Sequence, residues 1–140
     1  MKHRAVALIL TIILALGLSA FTQDTEKKEA AEVVAATWLK VVDSGGYAQS
    51  WAETASGFKA AVTRPQWEQA MRANRAPLGA VQSRKLLSAT YTTQLPGAPD
   101  GEYVVLQYDA SFAHKKTAIE TVTPVMDKDG KWRVSGYYIK

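Results

Sequence analysis

The chain has 140 residues, 17 Lys and Arg against 13 Asp and Glu, two histidines and no cysteine. Disulfides, thiol redox chemistry and cysteine metal sites are therefore excluded, and so is a histidine-rich metal centre, although a carboxylate site is not. Lys2 and Arg4 lie at the extreme N-terminus. Taking those two from 17 leaves 15 basic against 13 acidic residues, a net +2 too nearly balanced for a nucleic-acid-binding face.

The first residues, Met1-Lys2-His3-Arg4, carry two formal charges, and residues 5–18 carry none. The small residues Gly17, Ser19 and Ala20 close this run, and the polar Thr22-Gln23-Asp24 follows. A secretion signal has this order of parts, whereas a membrane-spanning helix needs a longer apolar stretch of about 20 residues. The expectation is a signal peptide over residues 1–20, cut near Ala20, although Leu18 then fills a position that usually holds a smaller residue. An uncleaved N-terminal anchor is the alternative reading. No cysteine follows the run, which excludes a lipid anchor on a cysteine thioether. Residues 21–140 suffice for one domain and are too few for two. A domain of that size folds without covalent staples. It is expected to be periplasmic or secreted, off the membrane once the signal is cut.

Over residues 25–42 apolar side chains recur at helical spacing: Ala30, Val33, Val34, Thr37, Trp38, Val41 and Val42. Glu26, Glu29 and Glu32 fall in the expected first turns, where they suit the helix dipole. Ser44-Gly45-Gly46 ends this helix. A second short helix is expected over 47–54, its Tyr47 and Trp51 packing on the first. Thr63-Arg64-Pro65-Gln66 opens a third: Thr63 caps it, Gln66 completes a capping box and Pro65 is tolerated in the first turn. Its apolar face is Trp67, Ala70 and Met71, with Leu78 across the exit. Asn74 falls on the same face and would need hydrogen-bond partners if buried. Pro77 and Gly79 stop the helix.

Beyond Gly79 the period becomes two, with strands expected near 82–94, 102–112, 117–127 and 131–139. Turn-rich connections separate them, the strongest hairpin signal being Asp127-Lys128-Asp129-Gly130. Short links between consecutive strands imply an antiparallel meander. On the second strand Val104, Leu106, Tyr108, Ala110 and Phe112 share the core face, and Tyr103, Val105, Gln107, Asp109 and Ser111 share the other. Pro124 inside the third strand marks a sheet edge or a bulge, which leaves the facing of Glu120 open. Helices first and strands second define an α+β domain, with three N-terminal helices covering one face of a four-stranded antiparallel sheet.

Several local runs resemble the family of small proteins known as DUF4019. They are Arg75-Ala76-Pro77-Leu78-Gly79, Ser83-Arg84-Lys85-Leu86, Tyr91-Thr92-Thr93-Gln94-Leu95-Pro96-Gly97 and Asp100-Gly101-Glu102-Tyr103-Val104-Val105-Leu106-Gln107-Tyr108. Phe112 with Lys116, Glu120-Thr121-Val122 and Trp132-Arg133-Val134-Ser135-Gly136-Tyr137 extend the likeness over about residues 29–139. The resemblance implies a small exported bacterial protein of the cystatin-like or NTF2-like α+β class, with helices in the curve of the sheet. It implies no activity and no catalytic residues.

Three candidate sites follow. A cavity between helices and sheet, lined by Trp51, Tyr91, Tyr108, Asp109 and Tyr137, would take a small apolar ligand. The favoured competing reading is that these rings fill the core. An acid–base pair would need Asp109 or Glu120 buried beside a tyrosine with a raised pKa. Against this, Asp109 lies by parity on the outer face, and Glu120 would equally pair with Lys116 or Arg84. The basic group Arg72, Arg75, Arg84 and Lys85 would hold an anion or an acidic partner, or form a solvated face beside Glu68. Arg84 is expected to reach the last carbonyls of the third helix. His114 reads as an exposed loop residue. No glycine-rich phosphate loop and no nucleophile elbow is present, and no cofactor is implied. The expected function is that of a non-catalytic exported binding or accessory domain, taking a small apolar ligand or a protein partner. The alternatives are a small enzyme of the isomerase or dehydratase type and a homodimer pairing through Tyr103 and Val105.

Overall fold

The computed structural model describes residues 2–140, with side chains at Gly17 and from Ser19 onward. Four helices, α1 (Lys2–Asp43), α2 (Tyr47–Ala52), α3 (Ser56–Ala61) and α4 (Arg64–Asn74), are followed by a 3₁₀ turn, Ala76–Leu78. The strands are β1 (Val81–Thr92), β2 (Tyr103–Phe112), β3 (Lys115–Met126) and β4 (Trp132–Ile139). They form one antiparallel sheet in the order β1-β2-β3-β4, and the helices lie against one face. This is the expected α+β meander.

The helix signals act as read at two ends. Gly45 (φ 80°) donates to Val42 and Gly46 donates to Val41, the paired bonds of a Schellman stop. Thr63 and Gln66 form the reciprocal capping box of α4.

Three details differ from the sequence expectation. First, α1 runs unbroken from Lys2, because no glycine or proline interrupts residues 18–43, so Glu26, Glu29 and Glu32 lie mid-helix. Met1 and the side chains of 2–16 and 18, most of the segment read as a secretion signal, lie outside the described residues. No helix among the described residues is long and apolar enough to cross a membrane.

Second, the buried face of α1 is Ala31, Ala35, Trp38, Leu39 and Val42, while Ala30, Val33 and Thr37 face solvent, Val33 67% exposed. Alanines at 31 and 35 bring the helix close to the sheet. The larger Trp38 closes over the gap and meets Tyr137 edge-on at 5.2 Å and Trp67 at 6.1 Å. Both indoles are satisfied by buried Ser50: Trp38 Nε1 donates to its carbonyl and Trp67 Nε1 to its hydroxyl. Val104, Leu106 and Tyr108 of β2, Val122 of β3 and Val134 of β4 complete this core.

Third, α3 was not expected. It has no cap of its own. Asp127 of the β3–β4 hairpin caps it from 71 residues away, accepting from Ser56 N at 2.9 Å and Ser56 Oγ at 2.6 Å. A local pattern does not show such a helix.

Bulges decide which residues face inward. Register shifts between Val81 and Ser83 and between Leu86 and Ser88 change the parity of β1, so Arg84, Leu86, Ala89 and Tyr91 are half-buried between its half-buried ends, Val81 and Thr92. Pro124 is fully buried in an interior strand, at a register shift between Val122 and Pro124, so the bulge reading holds and the edge reading does not. The shift lies beyond Glu120, which therefore keeps the core facing of Val122. Tyr103, expected on an outer dimer face, is instead buried, its hydroxyl donating to Pro99 O at 2.6 Å.

Asp127 also accepts from Arg133 at 3.1 Å. The Ser56 hydroxyl and amide bonds, the Lys128 amide and the Arg133 charge hold its pKa well below the usual carboxylate range. Neighbouring Asp129 is held to about 2, first by its hydrogen bond from Arg133. A depressed folded-state pKa means stability present above the unfolded value and lost as pH falls through the folded one. Asp127→Asn should therefore lower stability by about 1 kcal/mol at neutral pH. In thermal melts the gap between variant and parent should shrink once the pH drops below about 4. A gap that stays constant down to strong acid would contradict this account.

Candidate functional site

Five side chains from five elements meet where the ends of α1 and α4 approach the sheet. Asp43 is the last residue of α1, with Ser44 between it and the glycine stop. Arg75 is the C-cap of α4. Arg84 comes from the segment of β1 between its two bulges, Glu120 from β3 and Tyr137 from β4.

Arg84 is the hub. Its Nε and Nη2 donate to the two oxygens of Glu120 at 2.6 and 3.2 Å, and its Nη1 and Nη2 donate to the two oxygens of Asp43 at 2.8 and 3.0 Å. Such two-pronged bonds exploit the planar guanidinium fork. Tyr137 donates to Glu120 Oε2 at 2.5 Å. Arg75 donates to Asp43 at 3.3 Å and to the Gly79 carbonyl at 2.7 Å, and its guanidinium lies 4.6 Å over the Phe112 ring. Gly79 takes the backbone shape φ 77°, ψ −163° that carries its carbonyl to Arg75. A Cβ there would sit 2.8 Å from the His114 ring and 3.1 Å from Ala113.

Two guanidiniums face two carboxylates, so the cluster is neutral as drawn. Glu120 is fully buried and Arg75 is 3% exposed. Burial works against the charge on Arg84, but the hydrogen bonds to Asp43 and Glu120 outweigh it and hold its pKa above the usual guanidinium value. Burial, and then the Glu120 charge, push the Tyr137 hydroxyl well above the usual phenol range, so it stays a donor. Tyr108, paired with Glu120 across the ladder, is raised to about 12 by burial and then by the Glu32 charge. Its hydroxyl finds no partner.

The sequence-predicted residues separate into groups. Arg75, Arg84, Glu120 and Tyr137 come together, with Tyr108 next to Glu120. Trp51 belongs to α2, where its Nε1 donates to Val62 O. Tyr91 sits in a cluster with Lys27 and Glu102, donating to Glu102 at 3.0 Å beside a 2.7 Å Lys27–Glu102 ion pair. Asp109 is exposed. Arg84 does not serve the helix carbonyls as expected; its donors go to Asp43 and Glu120. Arg72 and Lys85 remain exposed, so the basic group divides into a buried Arg75, a half-buried Arg84 and two solvated members. Asn74 is exposed and His114 is an exposed turn residue, as read. Asp43 was missed. Its signal was available: a carboxylate at a helix C-terminus opposes the dipole and needs a cationic partner from elsewhere.

Beside the network a cleft of about 510 Å³ opens between α4 and β4, with Trp67, Met71, Arg75, Leu78, Tyr137 and Ile139 in its walls. Of the residues expected to line or hold a ligand, it takes in Arg75 and Tyr137. Among the described residues no group of three or more Asp, Glu or His could hold a metal ion.

The fold and site define an α+β domain whose helix ends are locked to an antiparallel meander by a buried ion-pair cluster. A family model described as a protein of unknown function (DUF4019) matches residues 34–137, a span that takes in all five cluster residues. The chain belongs to that family. None of the curated proteins compared with it matches.

Removing one partner of a buried pair leaves the other charge uncompensated. Glu120→Gln and Arg84→Met should each cost about 3 kcal/mol in urea unfolding. The double variant should cost less than the sum by about 1–3 kcal/mol. Additive losses would show that the two residues are not coupled.

Proposed function

We propose that this chain is an exported, non-catalytic binding or accessory domain of the cystatin-like or NTF2-like class. The observation that carries the reading is the state of Glu120. It is the buried carboxylate beside a tyrosine that proton-transfer chemistry would need, yet both its oxygens are engaged by Arg84 and Tyr137. A general base must be free to take up the substrate proton, and this carboxylate is fully buried and ion-paired to a permanent cation. The pattern of Met1-Lys2-His3-Arg4 followed by an uncharged run supports export, and the absence of cysteine leaves folding independent of redox compartment. The arginine–carboxylate cluster then serves to fix the helices on the sheet, leaving the surface and the α4–β4 cleft for recognition.

Affinity capture with the protein recovered from its native host, followed by mass spectrometry of retained proteins and small molecules, checks the reading. The expected result is a specific partner or ligand. Turnover of a substrate that disappears with Glu120→Gln would overturn the non-catalytic assignment, and an empty capture across growth conditions would overturn the binding one.

A further inference from the structure

The α4–β4 cleft carries a charge pattern that the ion-pair cluster does not use. Trp67 and Met71 supply its walls from the body of α4 and Tyr137 from β4, whereas Arg75 and Leu78 come from the exit of α4. Lys115 and Lys140 also line it. Glu120 pairs with Ile139 in the antiparallel β3–β4 ladder, which places the start of β3 and the end of β4 at the same end of the sheet. That end also adjoins Leu78, whose carbonyl accepts from His114 N at 2.9 Å. The cleft is therefore apolar at one end and cationic at the other.

No Asp or Glu side chain lines it. Neither Lys115 nor Lys140 forms an ion pair among the described residues. Arg75 adds a third cation at this end, 3% exposed and held in place by Gly79 and Asp43.

We propose that this cleft binds a small amphiphilic carboxylate, its anionic head toward Arg75, Lys115 and Lys140 and its apolar body along Trp67 and Met71. The proposal rests on the binding-domain reading above and names its ligand class. Asp43 and Gly79 hold the Arg75 guanidinium in place, so the cationic end is preorganised and does not have to be assembled on binding. A neutral amphiphile would bury the same apolar surface and leave the cations unanswered. An inorganic anion would gain the charge and forgo the apolar wall.

The test titrates the full chain, as recovered from its host, with decanoate, decanol and inorganic phosphate while following tryptophan fluorescence. Decanoate should bind saturably with a Kd below about 1 mM, and decanol and phosphate at least about tenfold more weakly. Lys115→Glu with Lys140→Glu should weaken decanoate about tenfold or more with little change in melting temperature. Ala70→Trp, at the exposed rim of the cleft, should abolish the response. Equal affinity for decanol, no saturable decanoate response, or indifference to Ala70→Trp would overturn the site. If decanoate fails but affinity capture still succeeds with Ala70→Trp, the carboxylate site falls and the binding-domain reading stands. If decanoate fails and the unmutated protein also captures nothing, both fall.

Discussion

Everything near the helix–sheet junction depends on one guanidinium serving two carboxylates. Arg84 sits on β1, and the two acids it holds come from the end of α1 and the middle of β3. The separations along the chain are 41 and 36 residues, so a single side chain ties the longest helix to two strands. Taking these charges out of water is costly, and the geometry must recover that cost. Matched forks on both sides, a tyrosine on Glu120 Oε2 and a second arginine on Asp43 provide the recovery. An apolar core of similar volume could be as stable. What the ionic version supplies is registration, because only one placement of α1 puts Asp43 within reach of both arginines.

That arrangement also explains how far the sequence could be read. The meander, its turns, the glycine stop of α1 and the capping box of α4 are local signals, written in residues within a few positions of one another. They survive in the structure. What escaped local reading were features settled by partners far along the chain. The inward facing of Arg84 follows from bulges in β1 that no residue type announces. The choice of Ala31 and Ala35 over Val33 as the seat of α1 reflects how near the sheet lies, not hydrophobicity. Helix α3 exists by virtue of an aspartate on a distant hairpin.

The candidate site shows the same division. Arg75, Arg84, Glu120 and Tyr137 were legible as polar residues on elements expected to be half-buried. Trp51, Tyr91 and Asp109 were grouped with them only because aromatic and acidic residues are the usual furniture of pockets. Distance then separated them: Tyr91 has its own lysine and glutamate, and Asp109 its solvent. The misplaced role of Arg84 has a plain cause. A carbonyl at a helix end is a weaker draw for a guanidinium than a carboxylate, and Asp43 had not been counted.

Gly79 extends the influence of the cluster to the surface. Its backbone lies in a region of φ and ψ that is closed to residues with a side chain. The turn adopts that shape while presenting a carbonyl to Arg75. A half-exposed turn residue would ordinarily be free to vary. Here its freedom is forfeited to a charge below it, so the least tolerant position in this region need not be any of the charged residues themselves. Substitution tolerance in this domain follows the reach of its hydrogen bonds and not depth from solvent.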